Sequence, residues 1–69
     1  MESAEEFEGK VIYVFRENSR TIVGIPDDRG NEKRLHIRKI DLGIERGKLI
    51  SGRYNPKCMQ IYPNNYFLN

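Results

Sequence analysis

The chain carries one thiol, Cys58, and one imidazole, His36, so these two are the only material for a thiolate-imidazole nucleophile. A lone cysteine in a β-rich stretch is ordinarily a small packing residue rather than a nucleophile. Asp27-Asp28 is a carboxylate pair, but Pro26, Arg29, Gly30 and Asn31 around it make the composition of a solvated turn. No glycine-rich phosphate loop occurs, neither G-x-G-x-x-G nor G-x-x-x-x-G-K-S/T. One histidine and one cysteine cannot supply a structural metal site or an intrachain disulfide. These residue types point away from an enzyme, a cofactor and a metal.

What the sequence does hold is a basic stretch interleaved with aromatics. Arg34, His36, Arg38 and Lys39 are followed by Lys48, Arg53, Tyr54 and Lys57, with Tyr13 and Phe15 upstream. Clustered Lys and Arg attract phosphates through counterion release, and unpaired bases stack on aromatic or guanidinium planes, so this combination fits single-stranded nucleic acid. The expected phosphate contacts are Arg34, Arg38, Lys39, Lys48, Arg53 and Lys57. The expected stacking or base-edge contacts are His36, Tyr13 and Tyr54. Sequence selectivity is expected to be weak, because no fixed set of Asn, Gln or Arg base readers is evident.

Charge distribution sharpens this expectation. The formal net charge is only +2, but residues 1–8 are purely acidic while residues 33–57 hold eight bases against Asp41 and Glu45. With 32% charged residues of both signs, a polyionic tail is excluded. The longest apolar run, residues 11–15, is too short for a signal peptide or a membrane span, and the expected location is the cytoplasm.

Sixty-nine residues make one domain at most, and a chain of this size buries roughly 60% of its unfolded surface. Short β-branched and aromatic runs, cut by turn residues at regular intervals, predict strands over residues 10–16, 20–25, 33–40, 48–54 and 58–62. Asn18 can supply the positive φ of a tight hairpin, Pro26 and Gly30 frame a longer turn, and Asn55-Pro56-Lys57 makes another. All three links join antiparallel neighbours. Gly43 and Gly47 limit the segment from Ile40 to one short helical turn between strands three and four.

Alternation then assigns faces. Val11, Tyr13 and Phe15 share one side of the first strand, with Ile12 and Val14 on the other. In the third, Leu35 and Ile37 oppose Arg34, His36 and Arg38. In the fourth, Ile50, Gly52 and Tyr54 oppose Leu49, Ser51 and Arg53, with Gly52 marking a bend or bulge. In the fifth, Met59 and Ile61 oppose Cys58, Gln60 and Tyr62. The domain reading is a frayed acidic N-terminus over 1–8, a β-barrel over 9–63 and a tail over 64–69. That tail, through Tyr66, Phe67 and Leu68, is a possible surface for a protein partner.

The order of features from Glu8 to Tyr62 resembles a small OB-type barrel of the cold-shock and bacterial initiation-factor-one kind. Glu8-Gly9-Lys10-Val11 opens a strand, a hairpin follows, then Arg34-Leu35-His36-Ile37-Arg38-Lys39-Ile40, and Arg46-Gly47-Lys48-Leu49-Ile50 is similar to the family's glycine before the fourth strand. The resemblance implies binding of single-stranded RNA or DNA by Tyr13, Phe15, Arg34, His36 and Arg38. The second strand, Thr21-Ile22-Val23-Gly24-Ile25, lacks the family's aromatic-rich run.

A second, partial resemblance is to swapped-hairpin transcription factors of the AbrB/MazE type. Residues 20–26 resemble their strand ending in Ile-Pro, residues 42–49 their Leu-Gly-Ile segment, and Ile61-Tyr62-Pro63 their closing strand. It implies an obligate dimer presenting Lys10, Arg16 and Arg20 to duplex DNA. The segment between Pro26 and Leu42 departs from that family's pattern. The expected architecture is therefore all-β: a five-stranded antiparallel barrel, OB or SH3-like, that binds RNA or single-stranded DNA without catalysis. A dimeric duplex-DNA regulator and a small protein-binding module or inhibitor are the alternatives.

Overall fold

A computed structural model describes residues 4–69. Six strands form along the chain: β1 Glu5–Lys10, β2 Tyr13–Glu17, β3 Arg20–Pro26, β4 Glu32–Ile37, β5 Leu49–Asn55 and β6 Gln60–Leu68. They make one mixed sheet in the order β1-β5-β6-β4-β3-β2. Every pairing is antiparallel except β4 with β6, which meet in parallel at His36 and Gln60.

The turns follow from local chemistry. Asn18 and Ser19 both take positive φ, 51° and 61°, the backbone twist that a two-residue hairpin between β2 and β3 requires. Between β3 and β4, the Asp27 carboxylate accepts the amides of Arg29 (2.8 Å) and Asn31 (2.9 Å), and Gly30 turns the chain at φ 81°. Between β5 and β6, Asn55 Oδ1 accepts the Lys57 amide at 2.9 Å. Short polar side chains here replace the ladder bonds that the strands lose.

Strand alternation delivers the core. Val23, Leu35, Ile37, Ile44, Ile50 and Ile61 are fully buried, joined by Ile25, Val11, Tyr54 and Phe7. The divisions expected in the third and fourth predicted strands hold, with Leu35, Ile37, Ile50 and Tyr54 inward. In the fifth Ile61 is inward, but Met59, expected beside it, sits in the turn before β6 at φ 61° and lines an outer groove.

The first predicted strand differs. It is two strands, β1 and β2, and the inward parity changes between them: Phe7 and Val11 are buried, Ile12 is exposed, and Val14 packs against the core. Tyr13 and Phe15 therefore lie on the opposite face from Val11. Val11 N donates to Lys48 O at 2.8 Å and Ile12 N to Gly24 O at 2.7 Å, so pairing switches partner at this kink. Sequence alternation carried across it assigns the wrong side.

Three further expectations are corrected. Residues 5–8, read as a frayed end, belong to β1 and contribute Phe7 to the core; residues 1–3 lie outside the described residues. Residues 64–68, read as a tail, belong to β6, where Tyr66 and Leu68 pack against the core and Phe67 alone of the three large side chains turns strongly outward. No helical turn forms between β4 and β5. Gly47 takes φ 92°, and residues 38–48 instead make turns pinned to the sheet.

The pins are side chains. Thr21, fully buried, donates from Oγ1 to Lys39 O at 2.7 Å and accepts the Asp41 amide at 2.9 Å. Arg16 donates to the carbonyls of Asp41 and Ile44. The Tyr66 hydroxyl donates to Asp41 Oδ2. Together they hold Ile44 in the end of the core, where the chain needs no helix to seal it.

Candidate nucleic-acid interface

Residues directly opposed across strands share a face, so the register of β2, β3, β4 and β6 reads out their outward surface as rows. Tyr13, Gly24 and Arg34 form one row. Phe15, Ile22, His36 and Gln60 form the next. Glu17 opposes Arg20 in a third; β4 ends at Ile37, the partner of Thr21, and the exposed Arg38 begins the bend that follows.

The first row is built around a missing side chain. A Cβ on Gly24 would stand 2.2 Å from Tyr13 Cε2, so glycine lets the Tyr13 ring lie flat across β3. Arg34 Nε donates to the Tyr13 hydroxyl at 3.1 Å, with its guanidinium carbon 5.8 Å from the ring centroid. Phe15, 55% exposed, tilts against Tyr13 at 5.3 Å and 44°. Two aromatic rings and a guanidinium thus offer π-surfaces to solvent side by side.

Alongside runs an open groove of about 590 Å³ whose lining includes Ile22, Met59, His36, Arg20 and Arg34. Its turn end carries Asp27 and Glu32, and its other end Arg20. Partial burial, then the fields of Arg20 and Arg38, hold the His36 imidazole below its ordinary value. Among the described residues the one ion pair is Lys48–Glu45 at 3.2 Å. Arg20, Arg34 and Arg38 are therefore free of carboxylate partners at that distance.

Four of the nine residues expected from sequence, Tyr13, Arg34, His36 and Arg38, converge on this surface. The others do not join it. Tyr54 is buried, edge-on to Phe7 at 6.0 Å; its hydroxyl accepts from Lys33 at 3.0 Å and donates to Glu5 at 3.1 Å, so it cannot stack on a ligand. Arg53 stands opposite Glu6 on β5. Lys48 is engaged by Glu45. Lys39 places its ammonium 5.6 Å from the Tyr66 ring. Lys57 lies in the β5–β6 turn with the exposed Cys58.

Ile22, Met59 and Arg20 are the additions, Arg20 having entered only through the duplex-DNA resemblance. The signal for Arg20 was present in the alternation of β3, where Thr21, Val23 and Ile25 are buried and Arg20 is exposed. Among the described residues, no three His, Cys, Asp or Glu side chains are grouped to hold a metal, and no helix is long and apolar enough to cross a membrane. Comparison of the chain with family models, with curated proteins and with solved structures finds no match.

Proposed function

We propose that this chain is a non-catalytic binder of single-stranded nucleic acid, RNA or DNA, built on a five-stranded OB-type barrel. In this reading β1 and β2 are halves of one bent strand. Support comes from the two residues between them, which bond to β3 and to the residue before β5, and from Gly9, whose Cβ position lies 3.2 Å from Ile25 Cβ. The sheet's two ends would then meet and close it.

One observation carries the function: three adjacent rows of the β2–β3–β4 surface bring Tyr13, Phe15 and Ile22 together with Arg20, Arg34 and His36, with Arg38 just past the end of β4, and among the described residues none of these arginines is ion-paired. Aromatic faces favour unstacked bases, and cations beside them favour phosphates. Duplex DNA offers no free base face to such rings.

The number of cations sets the expected salt dependence. With about three cations on the face, the logarithm of affinity should fall with the logarithm of salt at a slope of about −2 for a single strand. Titration of random single-stranded RNA, single-stranded DNA and duplex DNA at two ionic strengths tests the reading. Equal affinity for duplex and single strand, or binding indifferent to salt, would reject it.

A further inference from the structure

Like charges crowded on a sheet surface destabilise it, and beside Arg20, whose registered partner is Glu17, the exposed Arg38 stands one residue beyond the end of β4. Among the described residues no carboxylate forms an ion pair with either arginine. His36 lies one row above Arg20 and lines the same groove, and the fields of both arginines disfavour its protonation. We infer that Arg20, His36 and Arg38 form a phosphate seat, and that filling it puts a proton on His36, so that affinity rises as pH falls.

The chemistry follows from what surrounds the ring. From β3 comes Arg20; from β4 and its continuation, Arg34 and Arg38, with Arg34 turned to Tyr13. β2 presents Phe15 in the row of His36 and Glu17 in the row of Arg20. The β5–β6 turn and β6 present Met59 and Gln60, both uncharged, with Lys57 two residues before Met59. Asp27 and Glu32 stand at the far, turn end of the groove.

Cations thus dominate the ring's neighbourhood, and burial and these cations disfavour protonation of the free imidazole. A phosphate between the two guanidiniums cancels their field at the ring and supplies an acceptor for an imidazolium N–H. Proton and phosphate then favour each other's binding by the same factor.

This inference rests on the proposed function for the source of the phosphate, not for the seat itself. His36 is the only histidine, so its ring resonance reports the seat without ambiguity. The experiment follows that resonance against pH in the free protein, with inorganic tripolyphosphate, and with a short oligouridylate. The oligouridylate should raise the midpoint by about one unit, equivalent to about tenfold tighter binding at about pH 5 than at about pH 8. Arg20→Gln should raise the midpoint of the free protein and shrink the further rise on binding, while His36→Gln should abolish the pH dependence of affinity.

The outcomes separate the two claims. If the oligouridylate binds and the midpoint moves, both stand. If it binds and the midpoint stays, the seat is overturned and the proposed function survives. If tripolyphosphate moves the midpoint but no oligonucleotide binds, the seat stands and the nucleic-acid reading falls. If neither ligand acts, both fall.

Discussion

Gly24 and Gly52 are each glycine because something else occupies the space of a side chain, yet they serve opposite ends. Gly24 opens outward, and the atoms that a Cβ would meet are the far edge of the Tyr13 ring. Gly52, opposite Phe7 and Tyr66 in register, meets backbone: a Cβ there would stand 2.2 Å from Asn65 O and 2.6 Å from Tyr66 Cα. A ring can swing aside; a neighbouring strand cannot. One glycine seats a surface ring, the other brings two strands into close approach, and the two regions should respond differently to the same methyl group.

The largest effect is expected at Gly52. Gly52→Ala must push β6 from β5 where the ladder is already interrupted, between Gly52 and Tyr54. Such overpacking against backbone should cost about 3 kcal/mol, lowering the melting temperature by more than about 10 °C in a domain of this size. Thermal denaturation followed by circular dichroism checks this. A shift of only a degree or two would mean that the strands are not held that close.

Next comes a contrast of the two outer surfaces. Reversing Arg20 and Arg38 together, to Glu, should weaken single-strand binding by about 100-fold at low salt and flatten its salt dependence. Arg53→Glu, across from Glu6 on the other surface, should change affinity by less than about twofold. Comparable losses from both would erase the distinction between the faces.

Much of this was legible in the sequence, and the failures have common causes. Strands with polar residues on one side, such as Arg34-Leu35-His36-Ile37, declare their inward face by alternation alone. The run from Val11 to Phe15 is apolar on both sides, so nothing local marks the kink at Val11 and Ile12 where the inward parity changes. Alternation places Tyr54 inward with Ile50, as the structure has it; reading it as a stacking residue lets its basic neighbours in sequence outweigh that face. Glu45 engages Lys48, while Arg53 is set apart by standing beside Glu6 and Phe67 in a separate groove. Glu45 lies nearby in sequence, whereas Glu6 becomes a neighbour only when β1 pairs with β5. Register, more than strand content, decides which charges share a face, and register is set by long-range pairing.

A smaller and more selective change is expected at Gly24. Gly24→Ala should leave stability within about 1 kcal/mol, since Tyr13 can swing out. Binding should weaken by about fivefold as the ring leaves its flat pose beside Arg34 and Phe15, a part of the stacking energy of one base. Denaturation and binding measured on the same preparation distinguish this from Gly52→Ala, where stability is lost first. If stability falls as far as in Gly52→Ala, the ring is as fixed as backbone and the contrast between the glycines disappears.

The smallest effect lies on the inner side of the contrast, where Tyr66, the cross-strand partner of Gly52, sends its hydroxyl to Asp41. This bond, chiefly, holds the Asp41 carboxyl below its ordinary 3.8, while burial and then the same carboxylate push the Tyr66 phenol up to about 12. A depressed acid stabilises above its unfolded pKa and loses that contribution as pH falls through the folded one; a raised phenol stabilises below its unfolded pKa and loses that as pH rises toward the folded one. Tyr66→Phe should therefore cost about 1 kcal/mol, the worth of a charged hydrogen bond discounted for solvent exposure. That cost should hold from about pH 5 to about pH 9 and vanish at both extremes as wild type and variant converge. Denaturant melts across pH measure it. A constant difference at every pH would mean that the hydroxyl acts by packing alone, and that the loop carrying Asp41 is held by Thr21 and Arg16 without it.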